Sequence, residues 1–487
     1  MSVRLSLSLS AVLALTACAN PDLIAGLSAT EPGFDTVRST IGQSSRADTV
    51  WLQDAGQIRA NAERVHQLVH ERTINGETAV QVALLNNRGL QAAYAELGMT
   101  SAEIWQTTLQ PNPTVSIGVL GIGAEGVGPW RAIEGIIANN ILSLATAERR
   151  SGIAEVRFQQ AQLRAAEETL RVAQGARVAW IDAVAAFERA ALVGQAETTA
   201  DAASEMAAQL GATGFLNRAD QAREQAMHAE FAGQRARARL DAQLAKEQLT
   251  RILGLWATEV DYYLPNALPG LPGRPMSRPG IEAEALARRV DLAIARLELE
   301  AVTREHGLTD ATRIVSDLEI IAGVEIEREA GDDGVETVAT PQIEIEFAIP
   351  IFDSGAARMR RAEMAYLQAA HSLAERAVNV RSEARSAHAA YAGSHRIAVL
   401  YRDTLVPLRQ VIEREGQLSY NGMITTAFDL LADTRERLNA NLMEADARAE
   451  FWKSEAALNA AIYGGGEGGG GGGGEAAAIG GGASPAH

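Results

Sequence analysis

The chain has 487 residues and a formal net charge of −17, and no basic stripe runs along it, which argues against a nucleic-acid partner. Aromatic residues make up only 5% while alanine is abundant, a composition suited to long packed helices rather than to a compact β-rich core. After the N-terminus there is no run of about 20 apolar residues, so no transmembrane helix is expected.

In chain order, Arg4 precedes an apolar run from Leu5 to Leu15, the layout of a secretory signal peptide. The run closes in Leu15-Thr16-Ala17-Cys18, which resembles the bacterial lipoprotein processing box. Small residues precede the cleavage point there, and the cysteine thiol takes the lipid. Cys18 is the only cysteine, so an intrachain disulfide and thiol redox or metal chemistry are closed to the chain. Residues 1–17 are therefore read as signal peptide and 18–76 as an N-terminal segment lipidated at Cys18. Ala19 after it, rather than Asp, favours sorting to the outer membrane. Such a lipid anchors and does not span. Within this segment His66 and His70 stand four apart with Glu63 and Glu71 nearby. A metal pair on one helix face is one reading, a plain solvated face the other.

Proline is excluded from helix interiors and marks their ends. None lies between Pro129 and Pro265 or between Pro350 and Pro407, whereas Pro265, Pro269, Pro272, Pro275 and Pro279 crowd one segment. The pattern predicts long helices over 146–208 and 354–415, and shorter ones over 77–107, 217–253, 281–309 and 424–463. Pro407 should kink or end the second long helix. A helix of about 62 residues reaches roughly 90 Å. In each half the two shorter helices together match the long one, a pair too long for a globule and suited to the wall of a tube.

Between the helices lie short alternating stretches. Leu318, Ile320, Ala322, Val324 and Ile326 alternate with Glu319, Ile321, Gly323, Glu325 and Glu327, and Ile343, Ile345, Phe347 and Ile349 alternate with Glu344, Glu346 and Ala348. Period-two alternation makes strands with one apolar and one polar face, of a length that fits a tilted membrane-spanning strand. A soluble hairpin packed on a core would show the same pattern. Glu319, Glu325, Glu327, Glu344 and Glu346 share the polar face. In a barrel that face lines the pore and biases it toward cations; in any other setting it keeps a wet face soluble. In the first half Val115, Ile117 and Val119 form a weaker strand, and its partner within 131–144 is poorly patterned. Gly121-x-Gly123-x-x-Gly126 matches a dinucleotide fingerprint, but Pro129-Trp130 and strand-like sequence follow instead of a helix. It is read as an extracellular loop, and no cofactor is expected.

The chain is written twice. Ala83-Leu84, Leu90, Ala93 and Glu96-Leu97 recur as Ala285-Leu286, Leu292, Ala295 and Glu298-Leu299, and Leu253-Gly254 matches Tyr463-Gly464. The spacing is far too long for solenoid repeats. It divides the chain into a first repeat 77–254, a Pro-rich linker 255–280, a second repeat 281–463 and a Gly-rich tail 464–487 whose composition cannot bury a core.

On these residues the chain resembles the TolC-type outer-membrane efflux family over roughly 45–463. Pro111-Asn112-Pro113 before a strand looks like the family's PNP motif, and Pro350-Ile351-Phe352-Asp353-Ser354-Gly355 like its strand-to-helix junction. Tyr420 with Asp429-Leu430-Leu431, and Gly214 with Asp220, look like the two periplasmic helical turns. The resemblance implies a mainly α fold with a small β part: a trimeric 12-stranded outer-membrane barrel continued by a periplasmic α-helical barrel. It also implies a periplasmic gate at Asp429, Asp220 and Tyr420, and partners in a periplasmic adaptor and an inner-membrane transporter. The expected function is a non-enzymatic, passive export duct in the bacterial outer membrane. Thr425 and Ala432 stand where some members carry gate residues, so this gate must be held differently. Strand count asks for the same assembly. Four strands cannot close a membrane barrel and two copies would close one without a channel, whereas three copies supply twelve strands. The competing reading is a periplasmic coiled-coil scaffold lipoprotein, which has no use for a lipid-facing apolar band.

Overall fold

The computed structural model describes residues 21–123, 128–331 and 334–466; the signal peptide, Cys18, Gly126 and tail residues 467–487 lie outside these. The first half carries α1 (Pro21–Leu27), α2 (Phe34–Ser44), α3 (Ala55–Val69), α4 (Gly76–Asn86) and α5 (Arg88–Thr108). Strands β1 (Thr114–Leu120) and β2 (Ala132–Asn140) follow, then α6 (Ile141–Ala145), α7 (Ala147–Ala212) and α8 (Arg218–Leu253). The second half repeats the order: α9 (Ile281–Arg288), α10 (Val290–Ala311), β3 (Leu318–Gly331), β4 (Gly334–Phe347) and α11 (Ala356–Leu400). It ends in a π-helical turn at Tyr401–Leu405, α12 (Val406–Asn421) and α13 (Ala427–Tyr463). No described helix is long and apolar enough to cross a membrane. At 66 residues α7 alone is roughly 100 Å long.

Three details depart from the sequence reading. The helices expected over 77–107 and 281–309 are each broken in two, at Asn87 and Arg289, where ψ swings to 118° and 122°. The two breaks fall at matching positions of the duplication, and each is stabilised by the residue at the break. Asn87 caps the next helix by accepting from Leu90 N–H (3.0 Å) and donates to the Ile252 carbonyl (2.8 Å). Arg289, only 6% exposed, is clasped by Asp291 at 2.9 Å and by Glu383. At Asn87 these side-chain bonds to the backbone replace helical ones that the break gives up; at Arg289 it is Asp291 that does so, by accepting from Leu292 N–H (2.8 Å). At Pro407 the helical run does not stop: the π turn Tyr401–Leu405 leads directly into α12. The wider π turn just before it absorbs the ring, and Pro407 sits in the first turn of α12, where a missing N–H matters least. Finally, β2 is a full nine-residue strand despite its irregular pattern.

The chain divides into two compact units. The first holds residues up to Phe34, Ala95–Leu163 and Ala293–Arg376. It contains a four-stranded sheet of order β1-β2-β3-β4, antiparallel throughout. It also contains a small core in which Leu23 and Leu27 of α1 pack with Ile104, Ala154 and Phe158. Ser101 secures that contact by donating to the Leu27 carbonyl at 2.9 Å. Across α7 and α10, Arg157 binds both Glu298 (2.6 Å) and Glu305 (2.9 Å).

The second unit holds Asp35–Tyr94, Arg164–Leu292 and the chain from Ala377. Its core includes Ile281, Ala285, Val380, Tyr391, Phe451 and Ile462. Tyr94 is fully buried, and its hydroxyl is bonded to Thr49 (3.1 Å) and Thr169 (3.0 Å), as a buried phenol requires. Burial raises the Tyr94 pKa above its ordinary value. The Pro-rich linker is strapped down through its carbonyls: Trp452 donates to Pro269 (2.9 Å) and His395 to Pro272 (2.8 Å). Gly254 closes α8 in the left-handed region at φ 68°, and a Cβ there would stand 2.7 Å from the Asn86 carbonyl oxygen.

Gly254→Ala should therefore destabilise the protein by at least about 1–2 kcal/mol, the cost of the left-handed backbone before any clash is counted. A thermal unfolding midpoint unchanged from wild type would show that α8 can end another way.

Candidate functional site: an acidic sheet face and two helical tips

Strand pairing settles which side chains share a face. Glu319 lies opposite Glu346, Ile321 opposite Glu344, and Glu325 and Glu327 opposite Thr340 and Val338. All five glutamates singled out from the sequence thus fall on one face of the sheet. On its other side β3 sets Glu134 of β2 opposite Glu325, which adds a sixth carboxylate to that face. Its signal in the sequence was obscured because its neighbours in β2 on that face are Ala132, Ile136 and Ala138, not polar residues. Two of the six are engaged. Arg131 reaches Glu327 at 3.4 Å, and Gln342 donates to Glu134 at 3.0 Å. That second bond spans β3 because Gly323 lies between; a Cβ at Gly323 would come within 3.1 Å of the Gln342 amide nitrogen.

The opposite face is apolar across all four strands. It carries Val115, Ile117 and Val119 from β1 and Ile133 and Ile137 from β2, with Ile320, Val324 and Ile326 from β3 and Ile343, Ile345 and Phe347 from β4. Among the described residues much of it is uncovered: Ile117 is 74% exposed and Ile343 78%. A contiguous exposed patch of this kind marks a face that meets another apolar medium or partner. Among the described residues the outer edges of β1 and β4 have no strand beside them. Each edge leaves a row of backbone donors and acceptors open.

The helical tips are the second candidate. The turns at 213–217 and 422–426 join α7 to α8 and α12 to α13. Both have a residue in the left-handed region, Gly214 at φ 81° and Met423 at φ 61°. Met423 is a residue the sequence reading missed. It accepts backbone strain that a glycine avoids in the first half, and with Phe215 and Ile424 it presents an exposed apolar side chain at the tip.

Asp220 and Asp429, the aspartates expected at a gate, both sit at the third position of the following helix. Asn217 caps α8 by accepting from Asp220 N–H (2.9 Å), and the Asp220 carboxylate takes bonds from Asn217 (2.6 Å) and Arg223. Thr426 and Asp429 form a reciprocal capping box at the start of α13. Thr426 donates to the Asp429 carboxylate from its hydroxyl (2.7 Å) and its amide (3.0 Å). These two bonds, the hydroxyl first, hold the Asp429 pKa below its ordinary value. Tyr420 stands in the last turn of α12, partly exposed. The Thr425 hydroxyl is buried without a hydrogen-bond partner among the described residues. Asp433 packs its carboxylate against Gly416, where a Cβ would stand 2.8 Å away. Within the second hairpin, Arg409–Glu436 (3.1 Å) and Arg437–Glu413 (2.6 Å) tie α12 to α13.

No protein-family model and no curated protein matches the chain. Solved structures do. The Campylobacter jejuni CmeC outer membrane channel superposes with a TM-score of 0.61 at 14% identity, over 86% of this chain and 90% of that one. The outer membrane protein VceC of Vibrio cholerae gives 0.60 at 14% identity, over 83% and 97%. The open state of the Neisseria gonorrhoeae MtrE outer membrane channel gives 0.58 at 16%, over 80% and 88%. At these identities the likeness is one of fold, and the fold is that of the TolC-type outer-membrane channels.

The capping box has a pH signature. Because the Asp429 pKa is lowered in the folded chain, its stabilisation is present above the ordinary carboxylate value of about 4 and is lost as pH falls through the lowered one. Asp429→Asn should therefore lower the unfolding midpoint at about pH 7 and leave it unchanged near pH 2. An equal shift at both would mean that a neutral contact, not the ionised cap, carries the effect.

Proposed function

We propose that the protein is the outer-membrane duct of a tripartite export system, a homotrimer through which an inner-membrane transporter, coupled by a periplasmic adaptor, passes its substrate to the exterior. The observation that supports this most directly is the sheet, apolar on one face and acidic on the other, with both edges open. In lipid an open edge strands backbone groups at a cost of several kcal/mol each. Edge-to-edge pairing of three copies removes every edge and gives an even number of strands. The apolar faces then meet acyl chains. The acidic faces line the lumen, where Glu319, Glu325, Glu327, Glu344, Glu346 and Glu134 repeat around the pore and favour cations. The long helices continue the barrel as a tunnel in the periplasm, the two helical tips close it, and the duct does no covalent chemistry. Repeats 77–254 and 281–463, joined by linker 255–280, build each third of the wall. A scaffold lipoprotein of the same helices would need neither sheet face.

The decisive experiment is on the assembly. Detergent-solubilised protein should scatter light as a trimer and appear in electron micrographs as a particle about 130–140 Å long, roughly 90 Å of helix below a barrel about 25–40 Å tall. A monomer would sink both the barrel and the duct. In planar bilayers, Glu325→Gln with Glu344→Gln should lower cation selectivity. The gate reading adds that Asp429→Asn with Asp220→Asn weakens block by trivalent cations, and that Tyr420→Ala raises conductance. Selectivity and block untouched by the double aspartate variant would leave Asp220 and Asp429 as helix caps alone.

Membrane attachment is proposed to have two parts, the barrel and a lipid on Cys18, which becomes the mature N-terminus after 1–17 are removed. Cys18→Ser should abolish incorporation of labelled palmitate while leaving the exported protein partly membrane-associated through its barrel. Label that persists in the variant would place the acyl chain elsewhere.

A further inference from the structure

The last two turns of α3 carry a feature that a duct does not call for. Asn61, Val65 and Val69 turn into the protein and are buried. Glu63, His66 and His70 fall at i, i+3 and i+7 on the solvent side, one above another. The two imidazoles stack with centroids 4.4 Å apart and planes 20° from parallel. The His70 Nδ1 lies 3.2 Å from the carbonyl oxygen of Thr258. A carbonyl can only accept, so Nδ1 carries the proton and the Nε2 lone pair of His70 is free. This is the second-sphere bond that commonly orients a metal-ligating histidine. The His66 ring has no hydrogen-bond partner among the described residues and is exposed.

We propose that His66 and His70 form a bidentate site for a borderline divalent cation of the first transition row, copper(II) above zinc or nickel, with Glu63 as a third donor after rotation of its side chain. Two histidines one helical turn apart are a recurrent chelating pair. Metal–nitrogen bonds of about 2.1 Å require nitrogens about 3.3 Å apart and both lone pairs aimed at the metal, which the exposed His66 ring reaches by turning out of the stack while His70 keeps its bond to Thr258. Among the described residues no group of three ligating side chains has converged, so water completes the sphere and the site is one of moderate affinity and exchangeable metal. Imidazole donors select against magnesium and calcium and for the later transition metals, copper first.

The position gives the site a consequence. His70 closes α3, and Thr258 lies in the 3₁₀ turn Ala257–Val260 just after α8. The chain on both sides of this contact is already paired: Glu71 N–H bonds to the Asp261 carbonyl (2.7 Å) and Ile74 N–H to that of Tyr263 (3.0 Å). A cation held by His66 and His70 locks the ring that makes the Thr258 contact, and so fastens the N-terminal segment to the end of the first repeat. This holds whether the chain is a duct or a scaffold.

The test uses the full chain, detergent-solubilised and without an added histidine tag, titrated with copper(II) alone and followed by calorimetry and electron paramagnetic resonance. Expected are one saturable copper per chain and nitrogen couplings from two imidazoles. His66→Ala and His70→Ala should each weaken binding by about tenfold or more, at least what loss of an outer-sphere partner costs, and Glu63→Gln less. Because the His66 ring is exposed and has no hydrogen-bond partner among the described residues, its variant reports on the metal without disturbing the fold. Zinc should raise the unfolding midpoint of the wild type but not of the double histidine variant, since a ligand bound only to the folded state stabilises it by mass action. Copper bound with unchanged affinity by the double variant, or through a single imidazole, overturns the proposal and assigns binding to the other histidines.

Discussion

A strand edge cannot be left open in an apolar medium, and among the described residues this sheet has two open edges and one largely apolar face. Everything else in the chain is arranged around that fact. Water would penalise the apolar face, which holds branched and aromatic side chains from all four strands. Lipid would penalise the edges. The proposed closed barrel in a membrane would satisfy both, and four strands are too few to close one. On the proposed reading the sheet is one third of a ring of twelve strands.

Duplication is visible in the details of folding as well as in element order. Both halves break their shorter helix at the same place, but with different chemistry. Asn87 uses a carboxamide that accepts and donates, while Arg289 uses a buried guanidinium between Asp291 and Glu383. Removing Arg289 would take the guanidinium from the buried Asp291 carboxylate, so this break is the less replaceable of the two. Equivalent geometry was kept while the residues that enforce it diverged.

The halves also differ in ways that bear on movement. Helix α7 passes unbroken where the second half has the π turn Tyr401–Leu405 and Pro407. Below that turn α12 has no buried residue, whereas the corresponding stretch of α7 buries Ala196, Ala200, Ala203 and Ala207. The second hairpin is held to its own partner helix by ion pairs rather than to the rest of the unit by packing. Exposed ion pairs contribute little each, so this is the less firmly held of the two hairpins.

Helices and strands were legible in the sequence because both are local. Proline positions bounded the long helices, and strict alternation in 318–327 and 343–349 placed five glutamates on one face without any knowledge of pairing. The capping Thr426 and Asp429 are likewise readable from neighbours a few residues away. What the sequence could not supply was anything set by partners far along the chain. The break at Arg289 depends on Glu383, and the helix continuing past Pro407 depends on a π turn that no propensity announces. Glu134 joins the acidic face only because β2 pairs with β3 across nearly 200 residues. Periodicity reports which residues could share a face; only tertiary pairing decides which faces meet, since a shift of one residue in register would have turned every side chain of β2 to the other side.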